Sequence, residues 1–243
     1  MDASDRRPFH FQQFSLYHHR STMKVGTDAV LLGIWTPLDD NEKVLDIGTG
    51  CGILPLLLAA RCGDVTVDAV DIDPDSAEEA RMNFERAPFS GRLRAFQTDI
   101  RNAKALNRHH YDLIISNPPF FLNDHRPVRE DRKRARHTDS LSYEDLIKAA
   151  GYYLKPGGRF SVVLPYRQSR IFLELACVAG FFVQRQMLIF PKPCKEPNRV
   201  NLLLGKNPEN KMETEKFIIR DETGNFTSQY IDMVKNYYLS TGK

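Results

Sequence analysis

The chain has 243 residues, 42% hydrophobic and 27% charged at a net charge of +3, which is ample for a packed core and too balanced overall to mark disorder or a nucleic-acid binder by itself. Four cysteines, Cys51, Cys62, Cys177 and Cys194, stand far apart with no Cys-x-x-Cys pair and no histidine at ligand spacing, so no metal site is expected. The opening "MDASDRRPFHF" has no apolar signal core, and apolar runs such as 53–60 are too short to span a bilayer, so a reducing cytosol is the expected compartment.

Residues 11–35, "FQQFSLYHHRSTMKVGTDAVLLGIW", end in an apolar stretch that reads as a helix. The stretch Lys24 to Asp28 precedes that helix and leads through it into the first strand, "EKVLDIG" (42–48), so it can close over a ligand held beyond the strand. The strand runs into "GTGCGIL", with Gly48, Gly50 and Gly52. Glycines there let the backbone turn sharply and approach a ligand closely, while the following helix offers its amides to a polar or anionic group. A dinucleotide fingerprint would need glycine where Ile53 stands, and a phosphate loop would need Gly-Lys-Ser/Thr, which is absent. Asp46 adds a carboxylate that repels a pyrophosphate but attracts an ammonium.

The second strand, "DVTVDAVDI" (64–72), places Asp71 19 residues beyond Gly52, where an acidic side chain can accept two hydrogen bonds from a ribose; Asp73 is the competing choice. A helix over 74–87 starts at Asp73-Pro74. The third strand, "GRLRAFQTD" (91–99), ends at Asp99, whose carboxylate can accept from an adenine amine. Any one of these aspartates has an ordinary role as a cap or turn residue. Three acidic strand ends and a glycine turn in chain order describe a site for a nucleoside bearing a positive charge.

The fourth strand, "HYDLIISN" (110–117), stops abruptly at Asn117-Pro118-Pro119-Phe120. Next comes "HRPVREDRKRARHT" (125–138), where Arg126, Arg129, Arg132, Lys133, Arg134 and Arg136 outnumber Glu130 and Asp131, a composition suited to a phosphate backbone. A helix over 142–154 carries Ser142 as cap, and "GGRFSVVLP" (157–165) is the fifth strand. Strands over 181–190 and 198–205 are separated only by "PKPCKEP", too short for a crossover helix, so they should run antiparallel. That connection and its margin hold Lys192, Lys195 and Arg199, a second basic cluster. Residues 215–221 can add a small edge strand, and 228–239 read as a closing helix. Alternating strands and helices require a mostly parallel sheet covered on both faces, and with no linker or repeat a single domain over 1–243 is expected.

The ordered motifs "LDIGTGCG", "VDID", "TDI" and "SNPPF" resemble those of Rossmann-like, class I S-adenosylmethionine-dependent methyltransferases. The resemblance implies an α/β fold with a seven-stranded, mostly parallel sheet, an antiparallel last strand pair and helices on both faces. It implies S-adenosylmethionine as cofactor, with Lys24, Gly26, Thr27, Asp28, Asp46, Gly48, Gly50, Gly52, Asp71, Asp73, Asp99 and Asn117 as the residues near it, residues 1–40 as a cover and 41–243 as the core. An aromatic amine or carboxamide is a poor nucleophile because its lone pair is delocalised. Two acceptors, the Asn117 side-chain oxygen and the Pro118 carbonyl fixed by Pro119, would hold such a nitrogen towards tetrahedral geometry, and Phe120 would stack on the planar group.

Together with "LIISNPPFF", "RARHTDSLSYEDLI", "FSVVLP" and the opening at 11–35, the resemblance narrows to bacterial tRNA (adenine-N6) methyltransferases acting on the adenosine 3′ of the anticodon in valine tRNA. It runs from Phe9 to the C-terminal helix. Phe120 stands where many relatives have tyrosine, which keeps the stack and removes a hydroxyl. The same turn occurs in glutamine methylases, but the expectation favours adenine: about 40 residues precede the first strand, fewer than the extra helical domain usual in that group. A module that binds RNA without turnover is the non-enzyme alternative. His10, His18, His19 and His137 are read as surface or RNA-phosphate contacts.

Overall fold

The computed structural model describes residues 7–119, 141–208 and 212–239. The chain enters through a short antiparallel ribbon, β1 (Phe9–His10) and β2 (Ser15–Leu16), followed by α1 (Thr27–Trp35). Four strands with crossovers come next: β3 (Lys43–Ile47), α2 (Ile53–Arg61), β4 (Thr66–Asp71), α3 (Pro74–Arg86), β5 (Leu93–Gln97) and β6 (Tyr111–Ser116). Then follow α4 (Tyr143–Tyr153), β7 (Leu154–Pro165), α5 (Tyr166–Val178), β8 (Phe182–Phe190), β9 (Arg199–Gly205), β10 (Glu213–Ile218) and α6 (Ser228–Val234).

Local chemistry sets these boundaries. Asp73 accepts from the Ser76 amide at 2.8 Å and Pro74 supplies the first turn of α3, while Ser142 accepts from the Asp145 amide at 3.1 Å at the start of α4. Ala77, Ala80 and Phe84, at spacings of three and four, form the apolar stripe of α3.

The main sheet has the order β10-β8-β9-β7-β6-β3-β4-β5. β3, β4, β5, β6 and β7 run parallel, and β9 lies antiparallel between β7 and β8, as the short 191–197 connection requires. Among the described residues the sheet has eight strands where seven were expected. The additional one is β10, parallel to β8 at the edge and held by the Arg185–Glu215 ion pair and by buried Phe217. The closing helix is shorter than expected, ending at Val234, and β7 begins at Leu154. One apolar layer joins the sheet to α1, α2, α3 and α6, and the other joins it to α4 and α5. Covered on both faces, β3 and β6 are mostly apolar, with Val44, Leu45 and Ile47 in one and Leu113, Ile114 and Ile115 in the other.

From β3 the chain moves outward through β4 to β5, then returns to lay β6 on the other side of β3. A crevice opens where the winding reverses, at the carboxyl ends of the strands. The glycine turn after β3 and the Asn-Pro-Pro turn after β6 are neighbours there, pinned by the Ser116 hydroxyl donating to the Ile47 carbonyl at 2.7 Å. Among the described residues no helix is long and apolar enough to cross a membrane.

Candidate active site

The crevice is a cavity of about 670 Å³ bordered by the turns that follow four successive strands. Its floor is Ile47, Gly48, Thr49, Gly50 and Cys51, one wall is Val70, Ile72 and Asp71, another is Thr98, Asp99 and Ile100, and Asn117, Pro118 and Pro119 close the side towards β6. Apolar side chains between a few carboxylates and one carboxamide suit a flat ring with polar edges.

Gly48, Gly50 and Gly52 all adopt positive φ, at 76°, 56° and 85°. Most amides of this loop are consumed internally: Gly48 and Thr49 donate to the Val70 carbonyl at 2.9 and 3.0 Å, and Gly50 donates to Asp71 at 2.8 Å. The loop therefore clamps the end of β4 and does not present a ring of free amides to a phosphate. Gly52 faces away from the cavity, and a Cβ there would lie 2.5 Å from the Phe84 ring, so this glycine serves the packing of α2 on α3.

Asp71, half-buried at the end of β4, accepts from the Gly50 and Asp73 amides at 2.8 and 3.0 Å, and burial raises its carboxyl above the usual range. Asp73 also borders the cavity, but it is committed as the cap of α3. Asp99 borders it too, with both oxygens engaged by Arg101 at 2.6–2.9 Å, and that guanidinium holds its carboxyl below the usual range. Asn117 lines the cavity, and its buried side-chain oxygen has no hydrogen-bond partner among the described residues.

Not every residue expected near the cofactor lines the cavity. Asp46 is fully buried and does not line the cavity. Of Lys24, Gly26, Thr27 and Asp28, only Lys24 reaches the cavity, because Gly26 and Thr27 start α1 and Asp28 pairs with Arg199 at 2.7 Å. That pair also engages Arg199, expected in the basic cluster, while Lys195 is exposed and Lys192 half-buried. Phe120, Arg126, Arg129, Arg132, Lys133, Arg134 and Arg136 lie outside the described residues. Unanticipated at the cavity are Thr22, Met23, Arg101 and Leu141. Also unanticipated is the polar stripe Ser76, Glu79 and Asn83 on α3, whose only sequence signal is a set of polar residues at helical spacing beside an apolar one.

Burial pushes the Asp46 carboxyl up to about 7, with the nearby Thr49 hydroxyl pulling against the rise and the Asp71 charge adding to it. The folded chain thus binds a proton that the unfolded chain releases near pH 4, so folding stability falls as pH rises between those values and levels off above 7. Going from pH 5 to pH 7 costs about 2 kcal/mol at this one residue. Asp46→Asn should remove that slope, checked by denaturant unfolding of both chains at the two pH values.

The chain matches the family described as methyltransferase small domain over residues 20–175. It is 38% identical over 232 residues to the tRNA1(Val) (adenine(37)-N6)-methyltransferase of Bacteroides fragilis, covering 95% of this chain and 97% of the relative. It is 39% identical over 233 residues to the enzyme of the same name from Trichodesmium erythraeum, at 95% and 97% coverage. Among solved structures, it resembles a predicted O-methyltransferase from Agrobacterium tumefaciens with a TM-score of 0.68 and 24% identity, over 86% of this chain and 96% of that one. It also resembles a ribosomal protein L11 methylase from Lactobacillus delbrueckii subsp. bulgaricus, at a TM-score of 0.55 and 18% identity over 78% and 83%. At those identities the structural likeness concerns the fold.

Proposed function

The chain belongs to the tRNA1(Val) (adenine(37)-N6)-methyltransferase family, and we propose that it methylates the exocyclic 6-amino group of the adenosine immediately 3′ of the anticodon in valine tRNA, with S-adenosylmethionine as cofactor. The observation that carries this reading is Asn117 at the end of β6, which lines the same cavity as Asp71 and holds a buried carboxamide oxygen with no hydrogen-bond partner among the described residues.

The residues present suit the cofactor. A cavity of about 670 Å³ accommodates a nucleoside with an amino-acid tail. Asp71 keeps free lone pairs for ribose hydroxyls beside the two amides it already accepts. Ile72 and Ile100 form apolar walls for a purine, and Asp99 stands at its edge. When bound, the cofactor supplies an electrophilic methyl group on a sulfonium.

The chain itself orients the acceptor nitrogen. The Asn117 oxygen accepts one N–H of the adenine amine, and the Pro118 carbonyl accepts the other, as the rigid Pro-Pro pair fixes its direction. Both acceptors pull the nitrogen out of conjugation and stabilise the positive charge that develops on it. The extra proton leaves after transfer, so the site requires no general base at the reacting atom. The target base must leave its stack to reach this rim, and Phe120 is placed in sequence to receive its face.

Phosphate contacts come from the same side of the sheet. β8 is parallel to β7, so the connection at 191–198, with Lys192 and Lys195, emerges at the carboxyl rim. Arg167 joins it from the first turn of α5, 88% exposed and 3.4 Å from Glu196, where the Tyr166 amide donates to the Asn198 carbonyl at 3.1 Å. Replacing Arg167, Lys192 and Lys195 together with alanine should lower the salt slope of tRNA binding by about 1–2, read from affinities between 50 and 200 mM salt, with cofactor affinity unchanged. An unchanged slope would remove this edge from the interface.

Incubating the pure protein and labelled cofactor with unmodified valine tRNA, and separately with a release factor, tests the reaction. Label in N6-methyladenosine is the expected result. Label only in a glutamine side chain would replace this reading with protein methylation, and binding of tRNA without transfer would leave an RNA-binding module.

A further inference from the structure

Residues 17–24 belong to no helix or strand, yet Thr22, Met23 and Lys24 form a wall of the cavity. Their position comes from α3. One oxygen of Glu79 accepts the His19 and Arg20 amides at 3.0 Å each, and the other accepts the Ser21 amide at 2.8 Å. Glu79 is only 2% exposed, so these are charge-assisted bonds shielded from water, the strong kind. Ser76, one turn earlier, accepts the Thr22 amide at 3.3 Å. Asn83, one turn later and wholly buried, accepts the Tyr17 amide and donates to the Tyr17 and Cys51 carbonyls, each at 2.8 Å. Cys51 lies in the glycine turn, so Asn83 ties the wall to the floor of the cavity through one carboxamide.

We propose that Glu79 and Asn83 are positioning residues for the cofactor: from α3 they fix residues 17–22 and so hold Thr22, Met23 and Lys24 against it. The proposal rests on the reading that this cavity binds S-adenosylmethionine. Five backbone amides of an otherwise irregular segment end on three side chains of one helical stripe, an arrangement that sets the segment's place without drawing on the apolar core. The outer side of the segment is open to water, with Arg20 and Lys24 exposed. Loss of the carboxylate should therefore free the segment while the sheet stays folded.

The test uses the full chain and three variants, Glu79→Ala, Glu79→Gln and Asn83→Ala. Trypsin cleavage after Arg20 and Lys24 is followed by mass spectrometry with and without S-adenosylhomocysteine, and binding of that analogue is measured by calorimetry. Glu79→Ala should be cut at least 10-fold faster at both sites and bind the analogue 10- to 100-fold more weakly. Its KM for S-adenosylmethionine should rise with kcat at saturation within threefold. Glu79→Gln keeps the volume and one acceptor oxygen, so it guards against a folding defect and should recover part of the affinity. Asn83→Ala should weaken binding similarly. Wild-type cleavage rates and affinities in Glu79→Gln and Asn83→Ala would overturn the proposal, as would a fall in kcat with KM unchanged. If the wild-type chain itself gives no heat with the analogue, the cofactor reading fails and the proposal with it.

Discussion

Asn117→Ala should lower turnover by on the order of 10²–10³ while leaving cofactor affinity within about threefold, the loss typical of removing one preorganised partner of a developing charge. The Asn117 oxygen has no partner among the described residues to lose, so truncation breaks no recorded bond of that atom and should change the melting temperature little. A stability defect and a catalytic defect are thereby separated. Asn117→Asp is a sharper control: it keeps both geometry and acceptor, adds a charge, and should retain more activity than alanine. Single-turnover rates at saturating tRNA and cofactor check both variants, and normal turnover in Asn117→Ala would remove the residue from the chemistry.

Asp71→Ala should weaken S-adenosylmethionine binding roughly 100-fold, about 3 kcal/mol, measured by calorimetry. Two effects contribute. The carboxylate no longer accepts from a ribose, and the Gly50 amide, which it holds at 2.8 Å, loses the contact that shapes the glycine turn. Asp73→Ala provides the comparison, because Asp73 is committed to the Ser76 amide at 2.8 Å. Its loss should cost about 1 kcal/mol of stability as a missing cap, with cofactor affinity nearly unchanged. The reverse ranking would assign the ribose to Asp73. Both aspartates were open choices in the sequence, since strand-end and cap signals overlap over three residues, and the distinction lies in which amides each carboxylate meets.

Much of the fold was legible because its central strands are buried on both faces, so β3 and β6 appear as short, mostly apolar runs ending in glycine or in Asn-Pro-Pro. The antiparallel pairing of β8 and β9 was legible from a connection too short to cross over. β10 was harder, since an edge strand with one buried phenylalanine in six residues carries little periodic signal. In the site, the order of acidic strand ends pointed to one rim, and Asp71, Asp73 and Asp99 border a single cavity there. The burial of Asp46 and the close approach of Gly52 to Phe84 depend on tertiary packing, which no local pattern encodes. The hold of Glu79 and Asn83 on residues 17–22 was illegible for a related reason. Side-chain bonds to backbone amides about 60 positions away leave no mark in propensity or periodicity.

The central physical claim is that a flipped adenine and a methyl donor share this rim and that the amine is held by Asn117 and the Pro118 carbonyl. Nucleoside mass spectrometry of valine tRNA, isolated from cells lacking this chain and from the same cells given back either wild-type or Asn117→Ala protein, addresses it most directly. The account predicts unmodified adenosine 3′ of the anticodon without the chain, N6-methyladenosine with wild type, and almost none with the variant. Methylation that persists at that adenosine without the chain, or is restored in full by Asn117→Ala, would contradict it.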